Sequence, residues 1–418
     1  MRKVTHLIDL SEGIPGEAER HVSERYLQKR ALILETASRK FNALGVRGAT
    51  LEDIARDVGM NLTSIRHYFR RKDDLVAASF LHSIAAHAER FERALHGGDR
   101  EARVKTLVRE YFGLRREIRE GRGSDVMIFG DMRSLNDEHA AQVWPGYVNL
   151  FDIARKVVAN PGEMEAHRQR VNARAHFLVS QLFRSVFWLP AYPVESFGWV
   201  EGKFTDILLN GLAAPGVTLA APDDPSLGEE PQASSWESFL LAATTLINAQ
   251  GYRGASVDAI ARKLNRTKGS FYHHMEGKGD LLAACFNRSL GLLKEAQGNA
   301  LATQDTGLAQ AYAASTLLLR RQQTPAGPLL RSSALMSVES GERDKMMGEM
   351  SQVVTRFSGM VTDAIIDGSA RPCDARIAGE MIMVTVNSAS GVKGWVKGVD
   401  ADNIVDLFAR PMFHGLFA

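Results

Sequence analysis

Two stretches of this chain place small polar side chains and cations where a short helix would expose them. In the first they are Thr63, Ser64, Arg66, His67 and Tyr68; in the second, Lys268, Gly269, Ser270, Tyr272, His273 and His274. Such a face suits hydrogen bonding to base edges and phosphates. A helix of that size fits the major groove of B-DNA, with its N-terminal residues nearest the bases. Other chemistry lacks its residues. There is no GxxxxGK[ST], no strand-borne GxGxxG, no GxSxG and no HExxH. No enzyme, no catalytic residue and no cofactor is therefore expected. His273-His274 has no third ligand at helical spacing, so no metal site is expected either.

The elements that must carry these faces are written around them. A helix should end near Leu44-Gly45, where glycine can take the left-handed C-cap. Thr50 is placed as N-cap, with Asp53 three residues on as the acid of a capping box. The helix from Leu51 to Val58 should bury Leu51, Ile54, Ala55 and Val58. Gly59 permits a tight turn, Asn61 caps again, and a second short helix runs through Ile65 and Phe69. Two short helices joined by a glycine turn, behind a longer supporting helix, make a helix-turn-helix. The second copy has Ser256 and Thr267 as caps and Val257, Ile260, Ala261, Leu264 and Phe271 as its inner face.

The two copies are a repeat. Residues 37–75 lie on residues 243–281 without a gap, at a constant offset of 206. Gly45 meets Gly251, Arg47 meets Arg253, Ile54-Ala55-Arg56 meets Ile260-Ala261-Arg262, and Asp74-Leu75 meets Asp280-Leu281. Further on, Phe151 and Phe357 keep the offset, and Trp188 and Trp395 keep it within one residue. The chain reads as a duplication. Its charge follows the repeats: net +7 over 25–72 and +3 over 231–278, against +2 for all 418 residues. The basic surface is concentrated where the motifs lie.

Apolar residues recur at three- and four-residue steps, and strand-like alternation is absent over any useful length, so the fold class is all-α. Residues 213–235 are rich in Pro, Gly, Ala and acids without apolar periodicity, and read as a flexible linker of about 25–30 Å mean span. The expected order is an extension (1–25), a first DNA-binding domain (26–75), a first helical domain (76–212) and the linker, then a second DNA-binding domain (236–281) and a second helical domain (282–418). Cys285 and Cys373 are isolated, the first residues lack a signal-peptide core, and no apolar run spans a membrane. A cytoplasmic protein is expected.

Both segments resemble the DNA-binding domain of the tetracycline-repressor (TetR) family of bacterial regulators. The first matches its pattern at Thr50, Ile54-Ala55, Gly59, Tyr68-Phe69, Lys72 and Leu75, and departs from it at Thr63 and Arg66. The second matches at Ser256, Ile260-Ala261, Thr267, Gly269, Tyr272, His274, Lys278 and Leu281, and departs at Leu264-Asn265 and Met275. The resemblance implies phosphate contacts from Thr50, Tyr68 and Lys72, and from Ser256, Tyr272, His274 and Lys278. It gives base reading to Thr63, Arg66 and His67, and to Lys268, Gly269 and His273. Arg47, Asn61, Ser64, Arg253, Thr267 and Ser270 complete the expected DNA-binding set. Arg66 suits either a guanine or a phosphate.

The resemblance further implies, behind each motif, a helical domain that binds a small molecule and pairs through a four-helix bundle. Residues 101–200 hold thirteen aromatics and residues 301–400 only three, so the two interiors should differ in what they bind. Phe112, Phe129, Trp144, Tyr147, Phe151, Phe183 and Phe187 are the candidates for an apolar effector pocket. With two motifs in one chain, segments 170–212 and 375–418 should pair internally. The expected function is a ligand-released repressor that binds double-stranded operator DNA as a single-chain pseudo-dimer. A homodimer of chains, and a protein in which one repeat has lost DNA binding, stay open.

Overall fold

The computed structural model describes residues 24–222, 235–254, 256–264, 278–325, 327–331, 334–335 and 340–418. Among them there is no strand, only an isolated bridge between Ala213 and Ala370. The all-α expectation holds because the 3.6-residue periodicity continues throughout each half.

In the first half, α1 (Glu24–Gly48), α2 (Leu51–Val58) and α3 (Leu62–Tyr68) lead into α4 (Lys72–Ala94) and α5 (Arg100–Arg119). Then follow α6 (Asp137–Val158), the single turn α7 (Glu163–Ala166), α8 (Arg168–Arg184) and α9 (Phe197–Asn210). Where it is described, the second half follows a similar order. Its described helices are α10 (Ser235–Gly254), α11 (Val257–Lys263), α12 (Lys278–Thr303), α13 (Gly307–Arg321), α14 (Ser340–Ile366), α15 (Ala375–Ser388) and α16 (Arg410–His414). The distant aromatics keep their places: Phe151 lies on α6 and Phe357 on α14, while Trp188 and Trp395 each close a 3-10 turn after α8 and α15.

Two side chains repeated at the same offset build the same brace in both halves. Asn42 on α1 donates to Val126 O (2.8 Å) and accepts from Ile128 N (2.9 Å). Asn248 on α10 donates to Leu329 O (2.7 Å) and accepts from Arg331 N (3.0 Å). Ser83 on α4 accepts from Met127 N, as Ser289 on α12 accepts from Leu330 N, both at 2.8 Å. In each half, one loop of the helical domain is thus fastened to the first helix of the DNA-binding domain. Each such buried bond contributes about 1 kcal/mol, and leaving a buried partner bare costs more.

The halves meet through α8 and α9 on one side and α15 and 404–414 on the other. Phe204, Ile207, Met381 and Phe408 are wholly buried in one continuous core. Gln181 on α8 donates to Met381 O (2.9 Å) and Thr385 Oγ1 (3.0 Å) on α15. Arg371 pairs with Asp206 (2.8 Å) and donates to Gly211 O (2.8 Å). Where the two terminal helices end, the backbones cross. Leu212 N and Ala213 N donate to Phe413 O at 2.8 Å, and Leu416 N returns a bond to Leu208 O at 3.0 Å. Gly211 (φ 69°) and Gly415 (φ 102°) sit at the crossing, where a side chain on either would strike the other strand.

The linker departs from its composition. Residues 213–222 do not hang free: Ala214 N donates to Ser369 O (3.0 Å) and Arg320 donates to Pro222 O (3.1 Å). Val217, Leu219 and Ala221 pack on the main core. Pro and Gly remove periodicity without preventing an extended strip from finding backbone partners on a neighbouring surface. The rest of the linker, 223–234, lies outside the described residues.

Candidate DNA-binding face and effector cleft

The first helix-turn-helix assembles as its local chemistry requires. At Gly45 the backbone turns left-handed (φ 71°), as it does at the matching Gly251 (φ 71°). Asp53 N donates to Thr50 Oγ1 (3.1 Å) and Thr50 N to the Asp53 carboxylate (3.3 Å), closing the capping box. The Thr50 hydroxyl also donates to Asp53 (2.6 Å), and this bond holds the carboxyl below the ordinary range. Gly59 takes the left-handed C-cap, and Asn61 accepts from Ser64 N (2.8 Å) to start α3. Leu51, Ile54, Ala55, Ile65 and Phe69 are buried, whereas Val58 is only half-buried at the rim.

With its apolar edge pinned, α3 shows Thr63, Arg66 and His67 to solvent, and Ser64 is half-exposed. Tyr68 stacks on Tyr26 of α1 (4.7 Å between ring centroids), which fixes its ring beside the helix. Other cations nearby are partly spent. Lys40 pairs with Asp57 (3.0 Å), Arg56 with Asp53 (3.3 Å), and Arg39 with Asp125 (2.8 Å). No ion pair among the described residues holds Arg66, so its guanidinium stays available on the exposed face. Lys72 opens α4 at its first position, where helix N–H groups favour an anion.

The start of α4 is also tied to the helical domain. Asp74 accepts from Arg71 N (2.9 Å) and lies 3.0 Å from His139 Nε2 on α6. Partial burial raises the Asp74 pKa, but the bonds from Arg71 and His139 outweigh it and hold the carboxyl below its usual range.

In the second copy, Ser256 caps α11 by accepting from Ala259 N (3.1 Å), and Ile260 and Ala261 are buried. Val257 and Leu264 are half-buried. Thr267, Lys268, Gly269, Ser270, Phe271, Tyr272, His273 and His274 lie outside the described residues, as do the side chains of Arg47, Arg253 and Lys278.

Six of the seven aromatic candidates converge on one cleft. It opens to solvent at its mouth. Trp144, Tyr147 and Phe151 line it from one face of α6, Phe183 and Phe187 from α8 and the turn after it, and Phe129 from the braced loop. Phe112 does not reach it. That side of α5 faces α9, so Phe112 is fully buried against Phe204 (5.4 Å), a core residue and not a pocket residue. Sequence reasoning missed the opposite wall, which comes from the second half: Arg331, Asn387, Ser390, Gly391 and Trp395. Trp395 rests on Phe151 with 4.5 Å between ring centroids.

Sequence reasoning also missed His87, one of two histidines on α4. It is fully buried between Tyr111 (5.8 Å), Phe129 (5.4 Å) and Phe183 (5.0 Å), and its Nδ1 has no hydrogen-bond partner among the described residues. Burial, and then the charges of Arg115 and Arg90, press its pKa well below 6.5, so the ring is neutral. Below that pH the unfolded chain takes up a proton that the folded chain refuses. Stability is therefore complete above pH 6.5 and drains away as pH falls toward the folded-state value. His87→Leu should remove this dependence, its urea midpoint gaining on the parent's between about pH 7.5 and 5.5. Parallel midpoint curves would exclude His87 as the responsible group.

The family comparison falls on the same two segments. The family model for bacterial regulatory proteins of the TetR family matches twice, at residues 33–79 and 239–285. Both helix-turn-helix segments match the TetR-family DNA-binding domain. The two matches lie at the same 206-residue offset. The transposon Tn10 TetC protein of Escherichia coli is 40% identical over 57 residues, 14% of this chain. That stretch spans 29% of TetC, under a third of the relative's length. Among solved structures, AibR in complex with isovaleryl coenzyme A and operator DNA is 21% identical with a TM-score of 0.37, over 43% of this chain and 98% of AibR. A TetR/AcrR family regulator from Thermobifida fusca is 19% identical with a TM-score of 0.31, over 43% of this chain and 97% of that one. Among the described residues no helix is long and apolar enough to cross a membrane, and no His, Cys, Asp and Glu cluster could hold a metal.

Proposed function

We propose that this chain is a TetR-family transcriptional repressor that grips an operator as a single-chain pseudo-dimer and releases it when a small apolar molecule enters the cleft. The observation that carries the reading is the internal pairing: α8 and α9 pack on α15 and 404–414 within one chain. A recognition helix reads one half-site, and two of them one DNA turn apart, about 34–36 Å, read a full operator. Here both units belong to one chain, and tethering raises the effective concentration of the partner half to about the millimolar range. The two recognition faces differ in sequence, Thr63, Arg66 and His67 against Gly269, Tyr272 and His273. The operator is therefore asymmetric, with unlike half-sites.

Light scattering of the DNA-free protein, combined with footprinting on its own upstream region, tests this. The expected result is a 46.0 kDa particle protecting two dissimilar half-sites. Affinity should fall linearly with salt on logarithmic axes, with a slope of about −0.9 per neutralised phosphate. A species of twice that mass on a perfect palindrome would overturn the pseudo-dimer, and salt-insensitive binding would overturn the DNA reading. Lys72→Ala and Lys278→Ala, assayed separately, should each weaken binding; loss from only one would leave a single working unit.

A further inference from the structure

We infer that the cleft is one effector site completed by both halves, and that it takes a small anion with a flat apolar body, the anionic end held by Arg331 of the second half. This rests on the regulator reading and names the ligand class of that same site. The two asparagine braces put Ile128 and Arg331 in corresponding places, each with its backbone N–H bound to the brace, and both line this cleft. Duplication has left one position apolar and made the other cationic. The first half supplies the aromatic wall, Trp144, Tyr147 and Phe151 among it, and Trp395 closes against that wall from the second half.

Polarity in the cleft is one-sided. Arg184 and Arg331 are both on the lining, and no carboxylate is among the described lining residues. Arg331 donates through Nη2 to Ser390 O (2.8 Å), but its Nε is buried without a partner. An unpaired buried guanidinium N–H is costly, and an anion seated beside the guanidinium in a charge-assisted bond would offset that cost. A Cβ on Gly391 would lie 2.3 Å from Arg331 Nη2, so a larger residue there would push the end of this arginine out of its present position. Because Ile128 and Arg331 hang from α1 and α10, a ligand touching both bears on both DNA-binding units at once.

The test uses the full chain titrated with 2-naphthoate and with 2-naphthamide, which share the ring and differ in charge. Calorimetry gives affinity, and quenching of tryptophan fluorescence reports occupancy of the Trp144–Trp395 wall. Naphthoate should bind about tenfold or more tightly than the amide. In Arg331→Gln that preference should vanish while amide binding is unchanged, and Arg331→Lys should keep a preference of about threefold or more. Gly391→Ala, which places a methyl against the same guanidinium, should cut the preference, and this decides the matter even if Arg331→Gln fails to melt cooperatively. Equal binding of the two probes, no binding of either at about millimolar concentration, or a full preference retained by Arg331→Gln would overturn the inference. DNA affinity measured without probe separates the two readings. Failure to bind DNA with the naphthoate preference intact sinks the regulator and leaves the site standing; the reverse sinks only the site.

Discussion

Gly211→Ala should destabilise the protein by about 3 kcal/mol or more, an effect far outside the ±0.5 kcal/mol usual for surface changes. Two costs add. Gly211 sits at φ 69° and ψ −160°, a region essentially confined to glycine, where an L side chain pays about 1–3 kcal/mol. Its new Cβ would also fall 2.5 Å from both Gly415 N and Phe413 O, which are backbone atoms and cannot swing aside. Relieving that contact must strain or break the bonds from Leu212 N and Ala213 N to Phe413 O, at about 1 kcal/mol each. Gly59→Ala is the internal control. It shares a positive φ (71°) and has open space around it, but its ψ of 35° is ordinary left-handed helix against −160° at Gly211, so it should show the smaller cost of a left-handed residue without the clash. Thermal melts and urea titrations of the three proteins check this. If Gly211→Ala and Gly59→Ala melted together, the backbone crossing would not hold the halves as described.

Arg66→Ala should lower affinity for the preferred operator by about 1–3 kcal/mol and relax the preference at one base pair. The reason is geometric. Ile65 and Phe69 pin the inner edge of α3, so Arg66 projects from the outer edge, exposed and with no ion pair among the described residues. An arginine so placed reaches guanine O6 and N7 with two parallel bonds, and alanine leaves both acceptors to water. A phosphate contact behaves differently: its loss weakens every sequence alike and reduces the salt slope by about one phosphate. Binding to a set of operators substituted one base pair at a time distinguishes the two. A uniform loss across that set would move Arg66 from the base-reading group to the backbone contacts.

Much of the candidate DNA-binding face was legible because its determinants are local. Thr50 with Asp53, Asn61 with Ser64 N, and glycine at 45 and 59 act over three or four residues, so type and spacing suffice to read them. Val58 alone among the named inner residues of that unit stayed at the rim, where a helix end leaves it half-covered. The cleft was half legible. An aromatic stripe marks an apolar interior, and six of its seven members meet there, but nothing in the stripe says which side of α5 turns away, as Phe112 does.

The sequence by itself therefore determined the duplication, the all-α class and the local grammar of the first helix-turn-helix. Caps, turns and the 3.6-residue period are properties of short stretches of chain. Tertiary structure alone decided that Arg331 and Trp395 complete a wall facing Phe151, that 213–222 lies fastened to the second half, and that Gly211 and Gly415 let two backbones cross. Asn42 and Asn248 lie between: their shared offset is visible in the sequence, but their use as braces is not. Each of these depends on which distant segments come within hydrogen-bonding or van der Waals reach. That choice is made by burial of the whole apolar surface at once, a sum over both halves that no short window of residues contains.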